Sequence, residues 1–287
     1  MIESTQTVSG IISAFREALQ GHYPDREIDQ FLVMAFEEVM HLGKVRVFTV
    51  ADAPVGEVQY KRFTSIIEGL KRREPIQYLL GYTVFYDIPL KVTPDVLIPR
   101  PETEELADRI VKDYRGKQPR IIDLGTGSGC IAIALKQHLP GAQVLGADNS
   151  VAALDLANAN AKSNKLDIEF FHFDILRQES LGFMDFDVIV SNPPYVTPAE
   201  KREMDDNVLK YEPSEALFVP EDNPLLFYRK ITDLADGHLL RGGALYFEIN
   251  RAYGNEIAGL LKDRGYAEVE VFPDLNGNDR MIRAIKR

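Results

Sequence analysis

The sequence contains one cysteine, Cys130, no tryptophan, and no apolar run that approaches the length of a membrane span. A single cysteine cannot form an internal disulfide bond, and this usage fits a reducing cytoplasm, where we expect the protein to act. Because a spanning helix needs about 20 consecutive apolar residues, no membrane partner is expected. The first ten residues lack a basic segment followed by an apolar one, so no secretory signal is predicted.

Basic residues are too few to balance the acidic ones. The 33 Lys and Arg residues stand against 44 Asp and Glu residues, which gives a formal net charge of -11. A chain this acidic is not expected to bind nucleic acid through its overall field. Hydrophobic residues make up 45% of the 287 positions, which is enough for a full core in one large or two smaller domains.

The hydrophobic pattern divides the chain into three segments. Residues 1–75 carry apolar side chains at helical spacing, which predicts a small helical bundle. Residues 76–98 contain two short apolar runs around Asp87, which predict a β-hairpin linking two domains. Residues 99–287 alternate strand and helix patterns, which indicates an α/β domain with a doubly wound, mostly parallel sheet. Asn276-Gly277 predicts a closing antiparallel hairpin.

A glycine-rich loop follows the first predicted strand of the α/β domain and opens a helix. Glycines allow the backbone to approach a ligand closely, and a helix N-terminus offers free N–H groups. Asp148 ends the second strand, 25 residues after Asp123, where an acid can accept both hydrogen bonds of a ribose diol. Asp174, after the third strand, can meet an adenine amino group. The loop reads Asp123, Leu124, Gly125, Thr126, Gly127, Ser128, Gly129.

The spacing of these glycines distinguishes a loop that binds a dinucleotide from one that binds S-adenosylmethionine. A dinucleotide loop has the pattern G-x-G-x-x-G, which requires a glycine at position 130, where this chain has Cys130. The observed G-x-G-x-G pattern follows Asp123, an acid that can serve the amino end of a methionine moiety. The loop therefore favours S-adenosylmethionine over NAD. Asp148 in its expected place argues against a glycine-rich turn that binds nothing.

A second motif, Asn192-Pro193-Pro194-Tyr195, follows the buried strand Val188–Ser191. Two prolines stiffen the backbone and remove two donors, so the loop presents carbonyl groups. The Asn192 side-chain oxygen and the Pro193 carbonyl can accept the two N–H bonds of a planar nitrogen and stabilise the charge that grows on it. Tyr195 can stack on the flat group. The sequence thus predicts catalytic roles for Asn192, Pro193 and Tyr195 in methyl transfer to nitrogen.

These motifs resemble those of the PrmC (HemK) family of protein-(glutamine-N5) methyltransferases, from about residue 65 to the end. The narrowest part of the match is Ile98-Pro99-Arg100-Pro101-Glu102-Thr103-Glu104, since the Asn-Pro-Pro-Tyr loop also occurs in adenine and cytosine amino methyltransferases. Further matches are Glu74-Pro75-Ile76-Gln77-Tyr78, Tyr211-Glu212-Pro213, Phe227-Tyr228-Arg229 and Asp274-Leu275-Asn276-Gly277-Asn278-Asp279-Arg280. The chain departs from the family at Asn250, where a glycine is usual.

The resemblance implies transfer of a methyl group from S-adenosylmethionine to the glutamine N5 of the GGQ motif in class I peptide chain release factors one and two. S-adenosylhomocysteine is then the product. It also implies a Rossmann-like class I methyltransferase fold, with a seven-stranded sheet that ends in an antiparallel hairpin. Residues 1–75 would form a helical domain that helps to dock the release factor, and residues 99–287 would form the methyltransferase domain. Residues 76–98 would form the hairpin that links these two domains. A monomer would suffice.

By position, the resemblance implies that Gly125 to Gly129 and Asp148 bind S-adenosylmethionine, with Asp174 and Ile175 near the adenine. Asn192 would adjoin the cofactor and, with Pro193, hold the glutamine amide, while Pro194 and Tyr195 shape that pocket. Arg100, held between two prolines, is a further candidate for substrate binding. No metal is predicted.

Two alternatives remain open from the sequence. A nucleic-acid amino methyltransferase of the adenine-N6 or cytosine-N4 type would use the same loop, but it would need a basic groove and usually a target-recognition insertion. The second alternative is a non-enzymatic module that binds a nucleotide-like ligand. It predicts that replacement of Asn192 has no effect on any activity.

Overall fold

The computed structural model describes residues 6–182 and 184–287, with the backbone alone at Lys44, and divides the chain into two compact units. The first unit contains the described residues up to Gly81 together with Asp205–Tyr211. The second contains Tyr82–Met204 and Glu212–Arg287. In the described part of the chain, no helix is both long enough and apolar enough to cross a membrane.

The first unit is mainly helical. Its elements up to Gly81 are β1 (Gln6–Thr7), α1 (Val8–Leu19), α2 (Asp25–Met40), α3 (Lys44–Thr49), β2 (Pro54–Val55), α4 (Glu57–Lys71) and α5 (Ile76–Leu80). Three fully buried rings, Phe15 of α1, Phe36 of α2 and Phe63 of α4, meet at its centre. The Phe36 and Phe63 centroids lie 4.7 Å apart. The apolar stripes of the sequence therefore mark the face along which the helices pack.

A short segment from the second half of the chain completes the first unit. Asp205–Tyr211 belongs to it, and the Tyr211 hydroxyl donates a hydrogen bond of 2.8 Å to the Arg72 carbonyl. The sequence offered no sign of this return, because the segment lies 139 residues from Arg72 and has no periodicity of its own.

The second unit starts with a hairpin and continues with alternating strands and helices. Its elements, with the returning helix α9 in its place along the chain, are β3 (Tyr82–Phe85), β4 (Ile88–Lys91), α6 (Pro101–Tyr114), β5 (Arg120–Leu124), α7 (Cys130–His138), β6 (Gln143–Asp148), α8 (Val151–Ser163), β7 (Glu169–His172), β8 (Phe186–Ser191), α9 (Asp206–Tyr211), α10 (Leu226–His238), β9 (Leu239–Glu248), α11 (Gly254–Asp263), β10 (Ala267–Pro273) and β11 (Asp279–Ile285).

The predicted fold class is confirmed. The main sheet has seven strands in the order β10-β11-β9-β8-β5-β6-β7, with β5 to β9 parallel and the last two strands antiparallel. The hairpin β3–β4 is shorter than the predicted segment 76–98, because residues 76–80 form the helix α5 in the first unit. The glycine loop ends at Gly129, and α7 begins at Cys130.

Both faces of the main sheet are covered. Because side chains alternate along a strand, Ile122 and Leu124 of β5 pack with α10 and α11, whereas Ile121 packs with α6 and α7 on the opposite face. Strand β5 is thus buried on both sides from Ile121 to Leu124, which explains why it has apolar residues on both faces. The burial holds the carboxyl end of β5, where the glycine loop begins, in a fixed place.

Gly129, the N-cap of α7, is required by both backbone and packing. Its φ is +82°, and an added Cβ would lie 3.1 Å from the Cβ of Ala157 and 3.2 Å from the Cδ1 of Ile133. Gly116 is a matched control, because its φ is +79° and an added Cβ would meet nothing within 4 Å.

We expect Gly116→Ala to cost about 1–2 kcal/mol through backbone strain alone. Gly129→Ala should cost about 1–3 kcal/mol more, because the new methyl group overpacks the contact between α7 and α8. Thermal melts should therefore place Gly129→Ala several degrees below Gly116→Ala. Equal melting temperatures for the two variants would show that packing at Gly129 contributes nothing.

Candidate active site

A cavity of about 410 Å³ lies in the second unit, at the carboxyl ends of the parallel strands. The loops after β5, β6, β7 and β8 border it, as do parts of the segments 95–103 and 213–216. Open α/β sheets bind ligands at this edge, where the strand order reverses. Here the reversal falls at β5, since its neighbours are β6 on one side and β8 on the other.

The glycine loop presents its backbone to the cavity. The amides of Gly125 and Thr126 both donate to the Ala147 carbonyl, at 2.8 and 3.0 Å, and this pairing ties the loop to β6. Gly125 and Gly127 border the cavity with φ values of +75° and +54°, and an added Cβ at either residue would meet nothing within 4 Å. A ligand in the cavity can therefore approach the main chain closely.

Asp148 is fixed at the end of β6 by backbone donors. The Gly127 amide donates to its Oδ2 at 2.8 Å, and the Ser150 amide donates to its Oδ1 at 2.9 Å. Each carboxylate oxygen keeps a further lone pair, so Asp148 can still accept hydrogen bonds from a ligand in the cavity. The fixed acceptor pair beside a bare glycine backbone fits the ribose and methionine portions of S-adenosylmethionine.

The end of β7 supplies a mainly apolar wall. Phe173 and Ile175 are buried and border the cavity, and Asp174 and Leu176 border it beside them. Asp174 Oδ1 accepts from the Leu176 amide at 2.9 Å, and Oδ2 lies 3.3 Å from Arg177 Nε. Such a wall suits a flat aromatic ring with a polar edge.

Asp123 lies beneath the cavity and does not border it. The Thr126 hydroxyl, on a residue that borders the cavity, donates to Asp123 Oδ2 at 2.6 Å. Burial raises the pKa of Asp123 to about 7, although the hydrogen bonds from Thr126 and from the Ala132 amide act in the opposite direction. Gly129 also lies off the cavity surface, packed against α7 and α8.

The Asn-Pro-Pro-Tyr loop contributes Asn192 and Pro194 to the same cavity, whereas Pro193 and Tyr195 lie behind its surface. The Tyr195 ring packs against the hydrophobic core, and its hydroxyl donates to Glu248 Oε1 at 3.1 Å. The structure therefore does not place Tyr195 where it would stack on a group bound in this cavity. Burial and the neighbouring Glu248 raise the pKa of the Tyr195 hydroxyl.

Arg100 borders the cavity, but its charge is already paired. Its Nη2 lies 2.6 Å from Glu212 Oε1, and Glu212 Oε2 accepts from the Ile98 amide at 3.2 Å. Glu212 is buried, so the ion pair holds the segment around Ile98 against the 212–216 turn. The guanidinium shapes the wall, and Glu212 is a part of the site that sequence reasoning missed.

Thr103 and Glu248 were missed as site residues as well. Asn192 Nδ2 donates to Thr103 Oγ1 at 3.2 Å, and that hydroxyl donates to Glu248 Oε2 at 2.6 Å. The sequence showed Thr103 only within a helix N-terminus and Glu248 only at the end of a strand. For Thr103 the one available signal was its place in the motif Ile98 to Glu104, which resembles that of the PrmC family.

Asn250 connects the Asn-Pro-Pro-Tyr loop to Glu200. Its Nδ2 donates to the Tyr195 carbonyl at 3.2 Å and to Glu200 Oε1 at 2.9 Å. Glu200 Oε2 in turn accepts from the Thr197 amide at 2.7 Å. These hydrogen bonds hold the Asn-Pro-Pro-Tyr loop on the side away from the cavity. On its other side, Asn192 borders the same cavity as the glycine loop.

Two family models match the chain. The Methyltransferase small domain matches residues 102–211, and the PrmC N-terminal domain matches residues 11–81. Among solved structures, a methyltransferase from Pyrococcus furiosus is 16% identical with a TM-score of 0.53, covering 70% of this chain and 90% of that one. The hMettl16 catalytic domain is 15% identical with a TM-score of 0.55, covering 82% and 85%. These likenesses establish the fold.

Curated relatives match nearly the whole chain. The release factor glutamine methyltransferase of Flavobacterium psychrophilum is 44% identical over 94% of this chain and 95% of its own length. That of Bacteroides thetaiotaomicron is 40% identical over 96% and 98%, and that of Lactococcus lactis is 38% identical over 93% and 97%. At this identity and coverage, the chain belongs to the release factor glutamine methyltransferase family.

Proposed function

We propose that this protein transfers a methyl group from S-adenosylmethionine to the side-chain amide nitrogen of the GGQ glutamine in class I peptide chain release factors one and two. The observation that carries the proposal is a single cavity bordered both by the glycine loop with Asp148 and by Asn192. The relatives named for this activity support the substrate. The reaction would take place in the cytoplasm, and a monomer would suffice.

S-adenosylmethionine supplies a methyl group on a positively charged sulfur, which makes the methyl carbon electrophilic. The protein would hold the cofactor through the backbone of Gly125 to Ser128 and through Asp148, with Asp174 and Ile175 at its adenine end. Thr126 keeps the loop closed through its bond to the buried Asp123. These groups fix the methyl carbon without taking part in bond formation.

The Asn-Pro-Pro-Tyr loop would hold the amide group that receives the methyl group. A glutamine amide is a weak nucleophile because its lone pair is delocalised into the carbonyl group. Asn192 Oδ1 would accept one of its N–H bonds inside the cavity, and the main-chain carbonyl of Pro193, whose ring lies behind the cavity surface, would accept the other, with Pro194 closing the pocket. Both acceptors favour the positive charge that develops on nitrogen as the methyl group arrives. The proton then leaves to water from a strongly acidic nitrogen, so no general base is required.

Replacement of Asn192 tests the acceptor role. We expect Asn192→Ala to lower turnover on a release factor by about 100-fold, because one positioned acceptor is lost. Cofactor affinity should stay within about threefold of the wild type. Asn276→Ala, at an exposed turn, is the matched control and should behave as the wild type.

Mass spectrometry of the release factor identifies the product. The wild-type enzyme should add one methyl group in place of one hydrogen at the GGQ glutamine, and a release factor with alanine at that position should stay unmodified. DNA and RNA serve as competing substrates. Methyl groups found only on nucleic acid would reject the proposal.

The pKa of Asp123 leads to a prediction about cofactor binding. In the free protein this carboxyl group has a pKa of about 7, so it is largely protonated at lower pH. A cationic ligand next to Thr126 favours the ionised form, so binding should release a proton and affinity should rise with pH.

Calorimetry should show S-adenosylmethionine binding about threefold to tenfold more tightly at about pH 8 than at about pH 6. Asp123→Asn should remove most of this difference while any titration of the ligand itself remains. The uncharged-sulfur product, S-adenosylhomocysteine, should show a smaller pH effect. An unchanged pH dependence in Asp123→Asn would exclude Asp123 as its source.

We further propose that the helical first unit docks the release factor. Val45 and Phe48 on α3 are 77% and 49% exposed, which gives this unit apolar side chains in solvent. The double variant Val45→Ser, Phe48→Ser should raise KM for the release factor by about tenfold, with kcat and cofactor affinity unchanged. Leu275→Ser, at a leucine of the second unit that is 91% exposed, is the control. Equal KM values would refute docking at α3.

A further inference from the structure

A chain of hydrogen bonds runs from Asn192 through Thr103, which also borders the cavity, to the buried Glu248. Asn192 Nδ2 contacts Thr103 Oγ1 at 3.2 Å, and Thr103 Oγ1 contacts Glu248 Oε2 at 2.6 Å. The other carboxylate oxygen accepts from the Tyr195 hydroxyl at 3.1 Å. Thr103 is 2% exposed and Glu248 is 1% exposed, so water does not compete for these bonds.

Counting protons fixes the direction of each bond. Thr103 has a single hydroxyl proton, and the short contact to a carboxylate oxygen uses it. Thr103 can then only accept a hydrogen bond from Asn192. The amide NH₂ group of Asn192 must therefore face Thr103, and its Oδ1 must face the opposite way.

The same count indicates a carboxylate at Glu248. Two hydroxyl groups, from Thr103 and Tyr195, donate to its two oxygens. A protonated carboxyl group would have to donate at one of these contacts, and the chain of bonds to Asn192 would then be free to reverse. Burial raises the pKa of Glu248 above its usual value, and Glu102 adds to this, whereas the hydrogen bonds from Thr103 and Tyr195 and the charge of Arg280 act in the opposite direction.

We propose that Glu248 and Thr103 are positioning residues that hold the Asn192 amide with its oxygen towards the methyl acceptor. The inference rests on the proposed function, because it assigns the fixed oxygen to the substrate amide. Both residues would act through Asn192. A reversed Asn192 would present donors to the N–H donors of the substrate and would oppose binding of the transition state.

Two substitutions at Thr103 separate this role from packing. Thr103→Val keeps the volume and removes the hydroxyl group, whereas Thr103→Ser keeps the hydroxyl group and loses a methyl group. We expect Thr103→Val to lower kcat by about tenfold with the KM of the cofactor close to wild type, and to lower the melting temperature, because the buried Glu248 loses a hydrogen-bond donor. Thr103→Ser should restore most of the turnover. A packing role would give the reverse order.

Glu248→Gln tests the direction of the bonds. A glutamine side chain has a donor at one end, so it can donate to Thr103 and turn Asn192 around, and turnover should fall. The effect should largely disappear when Thr103→Val is already present, because both changes act through one hydrogen bond. Cofactor affinity, measured in parallel, shows whether each variant is folded.

Three results would overturn the inference: full turnover in Thr103→Val, equal losses in Thr103→Val and Thr103→Ser, or additive losses in the double variant. Failure of the proposed function is seen separately, in the wild-type enzyme. A wild type that leaves the release factor unmodified rejects that function and the inference with it. A wild type that methylates the factor, beside an unaffected Thr103→Val, rejects the inference alone.

Discussion

Parallel pairing of β5 with both of its neighbours is the constraint on which the site depends. Asp123 lies level with Gly146 of β6 and with Val190 of β8, so the three strands reach the same edge together. Adjacent strands lie about 4.8 Å apart, which puts the ends of β6 and β8 roughly 10 Å from each other. The glycine loop fills the gap between them. The distance from a cofactor site to an acceptor site is thus set by the backbone of the sheet, before any side chain is considered.

The sequence predicted the features that arise from short stretches of chain. Buried strands appear as apolar runs, and the glycine loop and the Asn-Pro-Pro-Tyr loop follow such runs directly. The fold class and the residues around the cavity could therefore be inferred. Contacts between distant residues could not, because nothing near Thr103 indicates a partner 145 residues away at Glu248. For the same reason Arg100 was taken as free to bind substrate, although Glu212, 112 residues further on, pairs with it.

Asn250 shows how the protein accommodates a buried amide side chain. The residue is 4% exposed, so its amide needs partners inside the protein. Its Nδ2 binds Glu200 and the Tyr195 carbonyl, and its Oδ1 accepts from the Ala252 amide at 2.9 Å. The bonds from Thr197 and Asn250 lower the pKa of Glu200 despite its partial burial. Both ends of the Asn250 amide therefore have hydrogen-bond partners, and the side chain joins the Asn-Pro-Pro-Tyr loop to the turn after β9.

The return of Asp205–Tyr211 to the first unit affects the order in which the protein can form. During synthesis, the helices up to Gly81 leave the ribosome long before Tyr211 is joined to the chain. The last segment of the first unit is made only after the strands β5 to β8 of the second unit. The first unit is therefore complete only once Tyr211 has been joined to the chain, although the sequence presents its amino-terminal helices as a self-contained block.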